Sequence, residues 1–179
     1  PTAARAAPGA EPVTAVSIEV MRASMELWSD SGRAESDFDA RRRLYSESKD
    51  YDPYGESIRE RMDALREAME DERYKEAMAS ANELLAAHPL LAEAHGHAAT
   101  ACTHLGDEER GLYHQRFARG LVDSVRRSGD GKATATAFKL VHMTEVDAVA
   151  IEGPVLARST LESGGRRFDA WQVGTGTVY

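Results

Sequence analysis

The sequence predicts an α+β protein, with about six helices arranged as hairpins followed by a small C-terminal antiparallel β-sheet. Three observations carry this. Between residues 13 and 128 apolar side chains recur at helical spacing. Part of that region repeats itself with a period of 34 residues. After Gly131 the composition turns to β-branched and aromatic residues punctuated by glycine turns.

The chain has 179 residues, 42% hydrophobic and 29% charged, the balance of a folded chain with one core. Its formal net charge of -8 disfavours nucleic acid and anionic membrane surfaces as partners, since both require a concentrated basic face. The run Arg41-Arg42-Arg43 is too short to reverse this. Cys102, the single cysteine, can form neither an internal disulfide nor a cysteine-based zinc cluster. No stretch approaches the roughly twenty apolar residues of a membrane span, so no membrane insertion is expected.

Residues 1–12, rich in Ala and Pro, read as a flexible leader of the kind that follows a cleaved export signal. A periplasmic or secreted location is expected on that ground, with a cytoplasmic one left open. In residues 13–128, "VTAVSIEVMRASMELWS" carries Val16, Val20, Ala23 and Leu27 on one helical face. "SDFDARRRLYSES" forms a second helix, capped by Ser36 or Asp37, with Phe38, Leu44 and Tyr45 facing inward. Pro53 and Gly55 break it.

Ser57 with Glu60 matches a capping box, and Ile58, Met62, Leu65 and Met69 continue as an apolar stripe. The next helix carries Tyr74, Ala77, Met78, Ala81, Leu84 and Leu85 on one face and stops before Pro89. Two more follow, from about Leu91 to His104 and, after "LGD", to about Arg127. Residues 58–91 laid over 92–125 give the 34-residue period of a tetratricopeptide (TPR) repeat. Leu65, Ala68, Tyr74, Ala77, Leu84 and Pro89 fit the first unit well. The second keeps Ala98, Ala99, "LGD" and Ala118 but has Gly111 where Ala is usual. Residues 129–179 are the β region, with strands expected in "TATAFKLVHM", "VDAVAIEG", "PVLARSTLE" and "RRFDAWQVG", packed on the helices.

"RSGDGKATATAF" invites a phosphate or metal reading. A Walker loop ending at Gly131-Lys132 would need glycine at Arg126 and a hydroxyl at Ala133. An EF-hand in this register would need glutamate at Ala137. Neither fits, so the motif reads as a helix stop with a left-handed glycine, followed by a turn into the first strand. His88, His95, His97, His104 and His114 cluster in the second repeat, but no two stand at i, i+4. His95 and Cys102 are expected to face the partner helix. No catalytic residue, metal or cofactor is expected. The row that would line the concave side of the repeats is Arg59, Asp63, Arg66 and Glu70 with His97, Thr100 and His104, a candidate groove for an extended peptide or a helix.

"DFDARRRLYSESKDYDPYG" and "GLVDSVRRSGDGKATATAF" resemble a bacterial domain-of-unknown-function family, numbered 4919, over residues 37–179. The resemblance rests on Tyr51-Asp52-Pro53-Tyr54-Gly55, and on Ser128-Gly129-Asp130-Gly131-Lys132 with Thr136-Ala137-Phe138. It implies the fold and an export bias, and no activity comes with it. Members commonly carry Ser where this chain has Ala133, so no hydroxyl-dependent role is implied there.

The expected function is therefore non-enzymatic binding of a protein or peptide. Two alternatives stay open. One is an enzyme or small-ligand binder with a site at the helix/sheet junction, around Tyr51, Tyr54, Asp130 and Lys132; the other is an inhibitor or immunity-type partner protein. The oligomeric state is left open.

Overall fold

The computed structural model describes residues 34–47, 51, 55–149, 155–173 and 176–179. The expected leader and the helix expected over "VTAVSIEVMRASMELWS" lie outside the described residues. Five helices are described: α1 (Ala34–Ser46), α2 (Glu56–Glu70), α3 (Tyr74–Ala87), α4 (Ala92–His104) and α5 (Glu108–Arg127). A 3-10 turn (Thr134–Thr136) and a 3-10 segment (Met143–Val149) follow. The strands β1 (Val155–Ser163), β2 (Arg166–Val173) and β3 (Gly176–Val178) form an antiparallel sheet in the order β1-β2-β3. The fold is α+β.

The stripe on α2 builds the first core. Ile58, Met62, Leu65 and Ala68 are buried against Ala77, Met78, Ala81 and Leu84 of α3 and Ala94, Ala98, Ala101 and Cys102 of α4. Alanines at the facing positions let the helix axes come close. Short connections turn each helix back on its predecessor. Between α2 and α3, Glu72 takes a left-handed φ of 57° and the Arg73 N–H donates to Ala68 C=O at 2.8 Å. Between α4 and α5, Gly106 has φ 77°, Asp107 N–H donates to Cys102 C=O at 2.9 Å, and the Asp107 carboxylate accepts from Arg110 N–H at 3.2 Å. The "LGD" triplet thus ends one helix and caps the next.

A second, aromatic core joins α1 to α5: Phe38, Leu90, Phe117 and Leu121, with Tyr45 and Tyr113 against it. Phe38 meets Phe117 edge-on at 5.0 Å between ring centroids. Its approach needs Gly120, where a Cβ would come within 2.2 Å of the Phe38 ring.

Several local expectations are corrected. Gly55 is the N-cap of α2 without a side-chain hydrogen bond, and the helix already includes Glu56, so Ser57 is not the cap. α1 already runs from Ala34, which leaves Ser36 and Asp37 inside it. Leu44 is 62% exposed, because the inward face of α1 is taken by Phe38, Arg42 and Tyr45. "TATAFKLVHM" and "VDAVAIEG" form no strand among the described residues. Their backbone groups are taken elsewhere: Phe138 N–H by Tyr179 C=O, Lys139 N–H by Ser128 Oγ and Val141 N–H by the Glu145 carboxylate. The 3-10 segment from Met143, not a strand, packs on α5 and α4. The strands make their extensive contacts with one another.

Candidate functional site

The expected groove row divides in the structure. Arg66 on α2 reaches Glu93 on α4 through two hydrogen bonds, Nε to Oε1 at 2.6 Å and Nη2 to Oε2 at 2.9 Å, and also contacts Asp63 at 2.8 Å. His97 Nε2 lies 3.5 Å from Glu93 Oε1. Burial alone would raise the Glu93 pKa, yet the bonds from His97 and Arg66 overcome it and hold the carboxyl at about 2. Glu93, which the repeat pattern does not single out, is the centre of this cluster. Farther along, Thr100 Oγ1 donates back to Gly96 C=O at 3.3 Å, and His104 stacks on Tyr74 with ring centroids 4.0 Å apart. Arg59 and Glu70 stand exposed on α2. Asp63, Arg66 and His97 are thus brought together, whereas His104 belongs to a separate aromatic contact.

The family-motif residues form a corner. Asp130 accepts from Lys132 N–H at 3.1 Å and from Thr136 Oγ1 at 2.5 Å, and these bonds, the Thr136 one first, hold its pKa below the usual carboxylate range. The left-handed glycine is Gly131, with φ 66°, while α5 itself ends on right-handed Ser128. At Gly129 a Cβ would lie 2.4 Å from Thr136 O, a backbone atom that has no room to move. The Phe138 ring covers Gly131, and Tyr179 N–H donates to Gly131 C=O at 2.9 Å. Lys132 is exposed. At the other motif Tyr51 meets Tyr45 edge-on at 5.6 Å, and Pro53 and Tyr54 lie outside the described residues.

Ser128, which opens the second motif, borders a cleft that the described residues Tyr51, Asp130 and Lys132 do not line. This cleft of about 560 Å³ opens between the C-terminal halves of α1 and α5 and the stretch Lys139–Val141. Arg42, Arg43, Arg127 and Lys139 face it together with one carboxylate, Asp39. Its floor is an ion pair. Arg42, only 5% exposed, bonds Glu145, 1% exposed, through Nε–Oε1 at 3.1 Å and Nη2–Oε2 at 2.9 Å. The remaining Arg42 donors reach Ser124 Oγ at 3.2 Å and Lys139 C=O at 2.6 Å. Ser124 Oγ donates to Asp39, which also pairs with Arg127 at 3.2 Å.

Arg42 is therefore spent on the fold and orients the wall. Arg43 and Lys139 are exposed and form no ion pair among the described residues. Among the described residues no imidazole or thiol lines the cleft to take a proton from Ser124. Among the described residues no three His, Cys, Asp or Glu side chains come together as a metal cage. The sequence signal that could have found the cleft is "ARRRL", read as two faces: Arg42 inward, Arg43 outward.

A family model described as a domain of unknown function (DUF4919) matches residues 30–151. The match takes in the whole cleft and both motifs and stops before the sheet. No curated protein and no solved structure matches the chain.

Proposed function

The chain belongs to the DUF4919 family, and from its geometry we propose that it is a non-enzymatic binding protein that seats an acidic segment of a protein or peptide in the cleft between α1, α5 and Lys139–Val141. One observation carries this reading. In a chain of net charge -8, four basic side chains and a single carboxylate line one cleft of about 560 Å³. Such a concave basic patch focuses potential and attracts anions against the sign of the whole molecule. Arg43 and Lys139 supply the contacts, because Arg42 and Arg127 are engaged with Glu145 and Asp39. The TPR-like packing of α2 to α5, each helix on the next and α2 also on α4, supplies a rigid frame for it. The α2/α4 face is the weaker candidate, since Arg66 is already paired there with Glu93 and Asp63.

An oligo-glutamate peptide serves as the probe, with binding followed by calorimetry at low and high salt. Binding is expected to weaken with salt and to fall about tenfold or more in Arg43→Glu with Lys139→Glu, leaving Arg59→Ala with Arg66→Ala unaffected. The reverse pattern would move the site to the α2/α4 face, and absence of binding by the wild-type chain would overturn the cleft reading.

A further inference from the structure

The hairpin β1–β2 leaves one long strand edge open. β1 is the outer strand of the sheet, its free edge has no backbone partner among the described residues, and residues 156–160, 162 and 163 are exposed. On the far side of β2, β3 pairs with Trp171–Val173, and Tyr179 just beyond it joins the corner, where its N–H donates to Gly131 C=O and its C=O accepts from Phe138 N–H, each at 2.9 Å. Residues 157–163 contain no Pro and no Lys, the residues that commonly guard an edge. An unguarded edge is a template for another strand, and its side chains decide which one.

We infer that β1 pairs antiparallel with β1 of a second copy of this chain, about a two-fold axis at Thr160. Three features select this partner. The register with β2 is irregular between Val155 and Ala157, then regular from Ala157 to Ser163, where the Gly164-Gly165 turn begins. Thr160 is the middle residue of that regular stretch, so a two-fold axis there pairs all of it with itself. In this register Arg158 of one copy stands directly opposite Glu162 of the other, twice by symmetry. Sliding the partner by two residues in either direction sets Arg158 against Thr160 or Gly164 and loses both pairs, so charge selects the register.

The rest of the face agrees. Arg158, Thr160 and Glu162 share it with their β2 partners Trp171, Asp169 and Arg167. Arg158 is already oriented there, 3.2 Å from Asp169 and over the Trp171 ring at 5.2 Å. Across the joined sheets the charges alternate: Arg167, Glu162, then Arg158 of the second copy. On the other face Leu161 and its β2 partner Phe168, both half-buried, gain cover beside Ser159 of the second copy.

The test is sedimentation equilibrium of the full chain over a wide concentration range, with circular dichroism to check folding. Wild type is expected to form dimers. Arg158→Glu alone and Glu162→Arg alone each set like charges opposite one another and should weaken dimerisation about tenfold. The double variant, Arg158→Glu with Glu162→Arg, should recover it, and so should an equimolar mixture of the two single variants, which become complementary to each other. A wild type that stays monomeric overturns the inference. So does a dimer that ignores the single variants, or a mixture and double variant that both remain as weak as the singles.

Discussion

Two buried imidazoles show how a single proton position follows from geometry. His95 Nε2 lies 3.1 Å from Pro89 C=O, an atom that can only accept, so His95 carries its proton on Nε2. Its Nδ1, 2.9 Å from His114 Nδ1, must then accept, and His114 is the Nδ1–H tautomer. Nε2 of His114 is left buried without a hydrogen bond among the described residues, and Phe117 and Tyr113 close over the pair. Burial lowers both pKa values from 6.5: His95, which the His114 charge pushes down further, to about 3, and His114, with Arg110 adding to the effect, to about 4. Between these values and 6.5 the unfolded chain binds more protons than the folded one. Stability should therefore be full above about pH 6.5 and decline as the pH falls towards 4, by about 2 kcal/mol per imidazole at pH 5. Urea unfolding at alkaline pH and near pH 5 measures this. His114→Asn should remove about 2 kcal/mol of the difference, and an unchanged pH dependence would remove the pair from the account. The helical register turns His95 towards α5, but only the packed structure brings His114 to its Nδ1.

Within one helix, two glycines carry opposite predictions. Gly111 of α5 occupies a position where the repeat pattern expects Ala, and a Cβ there would meet Ala99 O at 3.4 Å and Cys102 Cβ at 3.5 Å, ordinary contacts. Gly111→Ala should stabilise by about 0.5–1 kcal/mol, since mid-helix glycine costs backbone entropy. Gly120 must accommodate the Phe38 ring, and Gly120→Ala should cost about 1–3 kcal/mol through displacement of α1. Thermal unfolding of both variants checks the signs: a Gly120→Ala protein as stable as wild type would mean that α1 does not depend on this contact. The repeat pattern alone exposes Gly111 as a departure. Gly120 is silent in the sequence, because its reason is a side chain on another helix. The same limit explains the lost strands. "TATAFKLVHM" has strand composition, yet a strand needs a neighbour for its N–H groups, and Ser128, Glu145 and Tyr179 take those of Lys139, Val141 and Phe138 instead.

For the whole molecule, a buried link between helices and C-terminal part is the Arg42–Glu145 pair, which spans α1 and the 3-10 segment and also engages Ser124 of α5 and Val141 N–H. Glu145→Gln keeps an acceptor for Val141 but leaves the buried guanidinium uncompensated. It should lower stability by about 3–5 kcal/mol in urea unfolding, and a loss under about 1 kcal/mol would show that water reaches the pair. Local pattern was enough for α2, α3, α4, α5 and the β1–β2 hairpin, because helical spacing, the "LGD" stop and the Gly164-Gly165 turn act over a few neighbouring residues. The cleft was not legible in this way. Arg42, Arg43, Arg127 and Lys139 come from three separate stretches, and the partner of Arg42 lies 103 residues away. By itself the sequence determined the α+β class and the helical hairpins, since backbone propensity and apolar period are local quantities. Tertiary structure alone decided which arginine is buried, which glycine must stay, and where the basic groups converge, since burial and charge pairing depend on what the rest of the chain brings alongside.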